Sequence, residues 1–143
     1  MEEISLEKEH SGKILCVDDN ESVLGVLERI VRLTNYEPVC TKNGEEALKK
    51  FGSGEGYILV LTDINMPGKD GIKLAEEIRR VSNVPIVAVT AYGNESVMKR
   101  CAEAGIDGYL VKPFLFDTLI ETINEYSLKN NSNTLSRMCN EGI

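Results

Sequence analysis

The stretch Ile58 to Gly71, Ile-Leu-Val-Leu-Thr-Asp-Ile-Asn-Met-Pro-Gly-Lys-Asp-Gly, decides the fold of this chain. It begins with four consecutive apolar residues, Ile58 to Leu61, a pattern typical of a strand buried on both faces. Asp63 follows, and a proline and two glycines then break the strand pattern before a helical one begins. Asp63 is therefore predicted at the carboxyl end of a buried strand, facing a loop. The alternative is a turn aspartate that binds nearby backbone amides.

The size and composition of the chain are those of one ordinary globular domain. It has 143 residues, of which 42% are hydrophobic and 27% are charged. The formal net charge of −7 argues against the basic surface of a nucleic-acid-binding protein, so no direct nucleic-acid partner is expected. No apolar run is long enough to cross a bilayer, and the acidic start of the chain is unlike a secretory signal. We therefore expect a cytoplasmic protein without membrane association.

The four cysteines, Cys16, Cys40, Cys101 and Cys139, lack the close spacing of a zinc site. They are predicted to be small apolar residues in a reducing compartment. The one histidine, His10, lies in a polar leader and is given no role.

Strand patterns and helical patterns alternate five times along the chain. Strands are predicted at Lys13 to Val17, around Glu37 to Cys40, at Ile58 to Leu61, at Pro85 to Thr90 and at Tyr109 to Val111. Helices are predicted from Asn20 to about Leu33, Gly44 to about Phe51, about Gly71 to Val81, about Glu95 to Ala104, and after Phe114, with Leu115, Leu119, Ile123 and Tyr126 on one face.

This alternation predicts an α/β fold, a doubly wound parallel sheet with helices on both faces. Two strand orders compete, and the flavodoxin-like order 2-1-3-4-5 suits five strands best. Residues 1–12 are predicted to be a polar leader, residues 13–127 the folded domain, and residues 128–143 a disordered tail or linker.

In such a sheet the carboxyl ends of strands 1 and 3 lie side by side, so Asp18, Asp19 and Asp63 should converge there. Three carboxylates repel one another unless a cation lies among them, and oxygen ligands of this kind favour Mg²⁺ together with a phosphate oxygen. Thr90 would lie one strand from Asp63, and Lys112 two strands away, roughly 10 Å along the sheet. A hydroxyl at the shorter distance and a long cation at the longer one suit a phosphoryl group on Asp63.

These motifs, taken in order, resemble the receiver domain of two-component response regulators over about Lys13 to Tyr126. The matching segments are Val17-Asp18-Asp19-Asn20, Leu61 to Gly71, Val89-Thr90-Ala91 and Tyr109-Leu110-Val111-Lys112-Pro113-Phe114. The resemblance implies that Asp63 accepts a phosphoryl group from a phosphohistidine on a sensor histidine kinase or a phosphotransfer protein.

The resemblance also assigns roles to the residues around Asp63. Asp18, Asp19, Asp63 and the backbone carbonyl of Asn65 would hold Mg²⁺, and Lys112 would bind a phosphoryl oxygen. Thr90 and Tyr109 would act as the switch pair. Asn65 and Tyr92 would set the lifetime of the phosphoryl group, and the Lys112-Pro113 bond would be cis.

The expected output is a change on the surface of the fourth helix, fifth strand and fifth helix, read by a downstream protein, an output domain or a second copy of the chain. Such a domain would catalyse only its own phosphorylation and dephosphorylation. Two other functions stay open. One is a Mg²⁺-dependent phosphatase of the haloacid dehalogenase type, although that chemistry requires an aspartate where Asn65 stands. The other is a receiver-like interaction module that is never phosphorylated.

Overall fold

The computed structural model describes residues 12–66, 68–91 and 93–127. Their strands are β1 (Lys13–Val17), β2 (Glu37–Thr41), β3 (Tyr57–Thr62), β4 (Ile86–Thr90) and β5 (Gly108–Val111). Their helices are α1 (Glu21–Arg32), α2 (Gly44–Ser53), α3 (Gly71–Arg79), α4 (Glu95–Glu103) and α5 (residues 116–127). The leader before residue 12, His10, Tyr92, Cys139 and the tail after residue 127 lie outside the described residues.

All strand pairs in the sheet are parallel, in the order β2-β1-β3-β4-β5. This confirms the flavodoxin-like order predicted from the alternation of strands and helices. The order reverses between β1 and β3, so the connections after these two strands run to opposite faces and leave a crevice at their carboxyl ends.

Each face of the sheet carries its own apolar layer. On one face, α1 and α5 pack onto the strands through Leu24, Leu27, Ile30, Val31, Leu119 and Ile123. On the other face, α2, α3 and α4 contribute Ala47, Leu74, Ala75, Ile78 and Cys101. Because both faces are covered, β4 is buried along its whole length and β3 from Leu59 onward, whereas Tyr57 and Ile58 at the start of β3 are partly buried.

The first four helices each begin at a polar side chain that accepts a backbone N–H of the first turn; these caps are Asn20, Asn43, Asp70 and Asn94. Asn43 and Glu46 have the spacing of a capping box, but the Glu46 carboxylate accepts the N–H of Lys42 at 3.1 Å rather than that of Asn43. The caps start these helices a few residues after the preceding strands. The connections at the carboxyl edge of the sheet are therefore short.

Three apolar residues that were predicted to lie within helices lie outside them. Leu33 and Val81 lie beyond the last residues of α1 and α3, and both are exposed. Leu115 precedes α5, where its carbonyl accepts the N–H of Leu119, and its side chain is 74% exposed. Apolar residues continue beyond the ends of these helices, so the apolar pattern alone predicted the helices to be too long.

Arg79 ties three segments together at the amino end of the sheet. Its Nε donates to the Gly105 carbonyl at 2.9 Å, and its Nη1 donates to the carbonyls of Val84 at 2.7 Å and Ser82 at 3.2 Å. Its Nη2 lies 2.6 Å from Oδ2 of Asp107, which also accepts the N–H of Ile86. Arg79 thereby joins the end of α3, the start of β4 and the connection between α4 and β5.

A search of the described residues for a helix long and apolar enough to span a membrane finds none.

Candidate functional site

The carboxyl ends of β1 and β3 bring three carboxylates together. The N–H of Asp63 donates to the Val17 carbonyl at 2.9 Å, which fixes the end of β3 against the end of β1. Ligand atoms of Asp18, Asp19 and Asp63 all lie within 4.8 Å of one another. The structure therefore gathers the three residues that were predicted to converge.

The three carboxylates differ in their exposure to solvent. Asp18 is fully buried, Asp63 is 8% exposed and Asp19 faces solvent. Burial raises the pKa of the Asp18 carboxyl above its usual value, and the hydrogen bonds from Lys112 and from the Asn20 N–H offset only part of that rise. Two carboxylates held this close together with little access to water are stabilised by a nearby cation.

Lys112, which follows β5, contacts both buried carboxylates. Its Nζ lies 2.7 Å from Oδ2 of Asp18 and 3.1 Å from Oδ2 of Asp63. Burial acts to lower the pKa of Lys112, but the hydrogen bonds and charges of Asp18 and Asp63 outweigh it, so the pKa lies above its usual value. The ammonium is therefore held in its charged form beside Asp63. Its contact with Asp18 was not anticipated from the sequence.

Backbone groups orient the two buried carboxylates. Oδ1 of Asp18 accepts the Asn20 N–H at 2.9 Å, and Oδ1 of Asp63 accepts the Asn65 N–H at 3.2 Å. Each carboxylate thus binds a backbone N–H through one oxygen and Lys112 through the other. The metal-binding role of the Asn65 carbonyl stays a prediction.

Gly71 lets the first turn of α3 approach the end of β3. A Cβ at Gly71 would lie 2.1 Å from the Asp63 carbonyl oxygen and 2.8 Å from Cα of Ile64. Both distances are shorter than real carbon contacts, so a side chain does not fit here. From the sequence, Gly71 was predicted only to break the strand pattern and to begin a helix, with no role in packing. The available signal was a glycine at the predicted start of a helix, a few residues after the candidate site residue Asp63.

Thr90 and Tyr109 lie at the neighbouring strands. Thr90 ends β4 and is fully buried, and its carbonyl accepts the Lys112 N–H at 2.8 Å. Tyr109 lies on β5, and its hydroxyl would be 2.2 Å from a Cβ placed on Gly93. The Tyr109 ring therefore reaches the connection from β4 to α4 that begins after Thr90. Tyr92, the second predicted lifetime residue, is outside the described residues.

An apolar cleft of about 440 Å³ opens beside Lys112. It lies between α1 and the segment after β5, and it is lined by Val23, Val26, Ala91, Lys112, Pro113 and Phe114. The Lys112–Pro113 peptide bond at its edge is cis. The cleft therefore meets the acidic site at Lys112, whose ammonium contacts Asp63.

The donor set at this site fits magnesium. It consists of three carboxylates with no histidine or cysteine ligand in the group, and such oxygen ligands are the ones that Mg²⁺ prefers. Asp19 is open to water, which suits an ion that keeps part of its hydration shell.

Comparison with known proteins gives a consistent result. A family model described as the response regulator receiver domain matches residues 14–124. The chain is 38% identical over 109 residues to the transcriptional regulatory protein ResD of Bacillus subtilis, covering 76% of this chain and 45% of ResD. It is 39% identical over 112 residues to a CpxR homolog of Haemophilus influenzae, covering 78% of this chain and 48% of that protein. The chain thus spans about half the length of these curated relatives.

Solved structures with the same fold include two bacterial regulators. TrrA of Thermotoga maritima, solved in complex with Mg²⁺-BeF, is 40% identical with a TM-score of 0.72, covering 80% of this chain and 98% of that one. The chemotaxis protein CheY4 of Vibrio cholerae is 28% identical with a TM-score of 0.77, covering 81% of this chain and 98% of that one.

Proposed function

The chain belongs to the response regulator receiver domain family, and from this we propose that it is a phosphorylation-controlled switch with Asp63 as its phosphoacceptor. The observation that carries the proposal is the Lys112 ammonium, which follows β5 and contacts Asp63, two strands away, and Asp18, three strands away. A lysine placed only for solubility would extend into solvent. This one is held against the carboxylate that would receive the phosphoryl group.

In the proposed reaction, an oxygen of the Asp63 carboxylate attacks the phosphorus of a phosphohistidine on a sensor histidine kinase or a phosphotransfer protein. The bond from phosphorus to the histidine nitrogen breaks, and an acyl phosphate forms on Asp63. A Mg²⁺ ion held by Asp18, Asp19, Asp63 and the Asn65 carbonyl would supply positive charge for the phosphoryl oxygens. Lys112, which contacts Asp63, supplies a second positive charge.

The phosphoryl group adds close to two negative charges at Asp63. Lys112 then pairs with a phosphoryl oxygen, and the Thr90 hydroxyl moves toward the same group. Since Tyr109 reaches the segment after Thr90, movement there changes the space available to its ring. A complete switch from 1:99 to 99:1 requires the phosphoryl group to favour the active state by about 5.5 kcal/mol.

The surface formed by α4, β5 and α5 is the proposed output. Met98, Val111 and Phe116 are exposed apolar side chains on these elements. Exposed apolar groups that cluster on one side of a small domain mark surfaces that bind other proteins. We propose that a downstream protein, an output domain or a second copy of the chain binds there.

A phosphatase of the haloacid dehalogenase type is the weaker alternative. Its second aspartate would donate the proton that releases product, and Asn65 at this position has no proton to give. Because Asn65 cannot act as a general acid or base, the proposed chain releases phosphate only by slow hydrolysis of its Asp63 adduct, whereas a phosphatase releases phosphate over many rapid turnovers. A phosphate-release assay with excess acetyl phosphate separates the two.

Incubation with acetyl phosphate and Mg²⁺ tests the proposal directly. We expect the intact mass of the chain to increase by one phosphoryl group, because a small donor supplies the same phosphorus centre as phosphohistidine. With EDTA in place of Mg²⁺, uptake should fall to background. Failure of the chain to gain mass under any Mg²⁺ concentration, or equal uptake in EDTA, would contradict the proposal.

A Lys112→Ala chain is expected to fold and to transmit little of the phosphorylation signal to α4 and β5. Removing the ammonium removes the contact from β5 to Asp63, so a phosphoryl group there should perturb mainly its own neighbours. Amide NMR shifts on addition of acetyl phosphate measure this. Lys42→Ala is the matched control because Lys42 pairs with Glu21 at the exposed rim of the site. Undiminished shifts along α4 and β5 in the Lys112 variant would refute its role.

A further inference from the structure

Two of the cysteines lie side by side on neighbouring strands of the sheet. Cys16 on β1 and Cys40 on β2 are register partners in the parallel pairing. Both belong to the apolar layer beneath α1 and α5, so their side chains project from the same face. Their role in packing does not require two thiols at facing positions.

The spacing of this pair suits a disulfide. Neighbouring strands lie about 4.8 Å apart, and disulfide-linked Cα atoms usually lie roughly 4.4–6.8 Å apart. Sγ of Cys16 donates to the Ile14 carbonyl at 3.8 Å, a weak contact that a rotated side chain would give up. A bond between them therefore requires rotation of the side chains rather than movement of the strands.

The two thiols differ in access to solvent. Cys16 is fully buried, whereas Cys40 is half-buried on β2, a strand at the edge of the sheet. The neighbouring Cys16 thiol lowers the pKa of Cys40 and Arg32 adds to this effect, whereas burial and Glu28 act in the opposite direction. Cys40 is thus the thiol that a small oxidant reaches, and Cys16 is the thiol behind it.

We propose that Cys16 and Cys40 form a reversible intramolecular disulfide when the chain meets hydrogen peroxide. The Cys40 sulfur attacks one peroxide oxygen, the O–O bond breaks, and the first water leaves with a sulfenic acid remaining on Cys40. The Cys16 sulfur then attacks the Cys40 sulfur, the S–O bond breaks and the second water leaves. The two thiols lose two electrons and two protons, and the peroxide is reduced to water.

Peptide mapping of the native, peroxide-treated chain tests this inference. Trypsin cuts after Lys13, Arg29, Arg32 and Lys42, which places Cys16 on peptide 14–29 and Cys40 on peptide 33–42. Under non-reducing conditions these two peptides should appear as one cross-linked species that dithiothreitol separates. Cys101→Ala, which removes a buried thiol in α4, is the control variant and should give the same species.

A second variant makes the order of the steps testable. In Cys16→Ala the resolving thiol is absent, so the sulfenic acid on Cys40 should persist and be trapped by dimedone on peptide 33–42. Circular dichroism checks that this variant is folded; if it is not, Cys16→Ser takes its place. The proposal is overturned if the wild-type chain gives no link between peptides 14–29 and 33–42, if the link forms only after denaturation, or if Cys40 pairs instead with the Cys101 or Cys139 peptide.

Discussion

An Asp63→Asn chain is expected to take up no phosphoryl group from acetyl phosphate and Mg²⁺. The amide is not a nucleophile, so the acyl phosphate cannot form at this position. The fold should survive, because Oδ1 of an asparagine can still accept the Asn65 N–H that Asp63 binds at 3.2 Å. Lys112 also retains its contact with Asp18 at 2.7 Å. Intact mass before and after incubation measures the loss.

Asp70→Asn is the matched control for this change. It removes the same formal charge a few residues away, and asparagine caps a helix as well as aspartate does, so the N–H of Lys73 keeps its acceptor. This control should gain one phosphoryl group as the wild-type chain does. An adduct that persists in Asp63→Asn would show that another residue is the acceptor, and the assignment would fail.

Gly71→Ala is expected to destabilise the chain by about 2 to 3 kcal/mol, the upper range for a side chain forced into a packed site. The added Cβ would lie 2.1 Å from the Asp63 carbonyl oxygen, which belongs to the backbone and cannot rotate away. Either α3 or the end of β3 must shift. Chemical denaturation measures the free energy of unfolding, and phosphoryl uptake should fall as well because Asp63 moves with the strand end.

Gly25→Ala is expected to stabilise the chain in the same denaturation assay. Gly25 lies within α1, and a Cβ there would meet nothing within 4 Å. Alanine in a helix interior is more stable than glycine by about 1 kcal/mol, so this variant should unfold at a higher denaturant concentration. Equal effects of the two glycine variants would contradict the proposed clash at Gly71.

Much of the fold follows from local patterns. Asn20, Asn43 and Asn94 cap the helices that follow them, because a cap depends only on neighbouring residues. The sheet order follows from the number of strands and the handedness of their connections. The errors at Leu33, Val81 and Leu115 all lie at helix ends, where tertiary packing rather than periodicity decides which residue is the last in the helix.

The site was predictable to the extent that it depends on strand ends. Parallel strands put Asp18 and Asp63 at one edge whatever the details of packing. The contact from Lys112 to Asp18, the close approach at Gly71 and the facing pair of Cys16 and Cys40 depend on register and on distances between layers. These quantities are set by the packed sheet, and of the three only the close approach at Gly71 has a local signal, a glycine at the start of a helix.

The hydrogen bonds of Arg79 limit how α4 could move when Asp63 is phosphorylated in the proposed switch. They fix Gly105 and Asp107, which follow directly after α4, to the amino end of the sheet. The other end of α4 follows the connection that Tyr109 contacts. A helix that is fixed at one end moves mainly by tilting about that end. In the proposed switch, Arg79 would hold the end of α4 near Glu103 in place. The displacement of α4 should therefore be largest near Asn94 and smallest near Glu103.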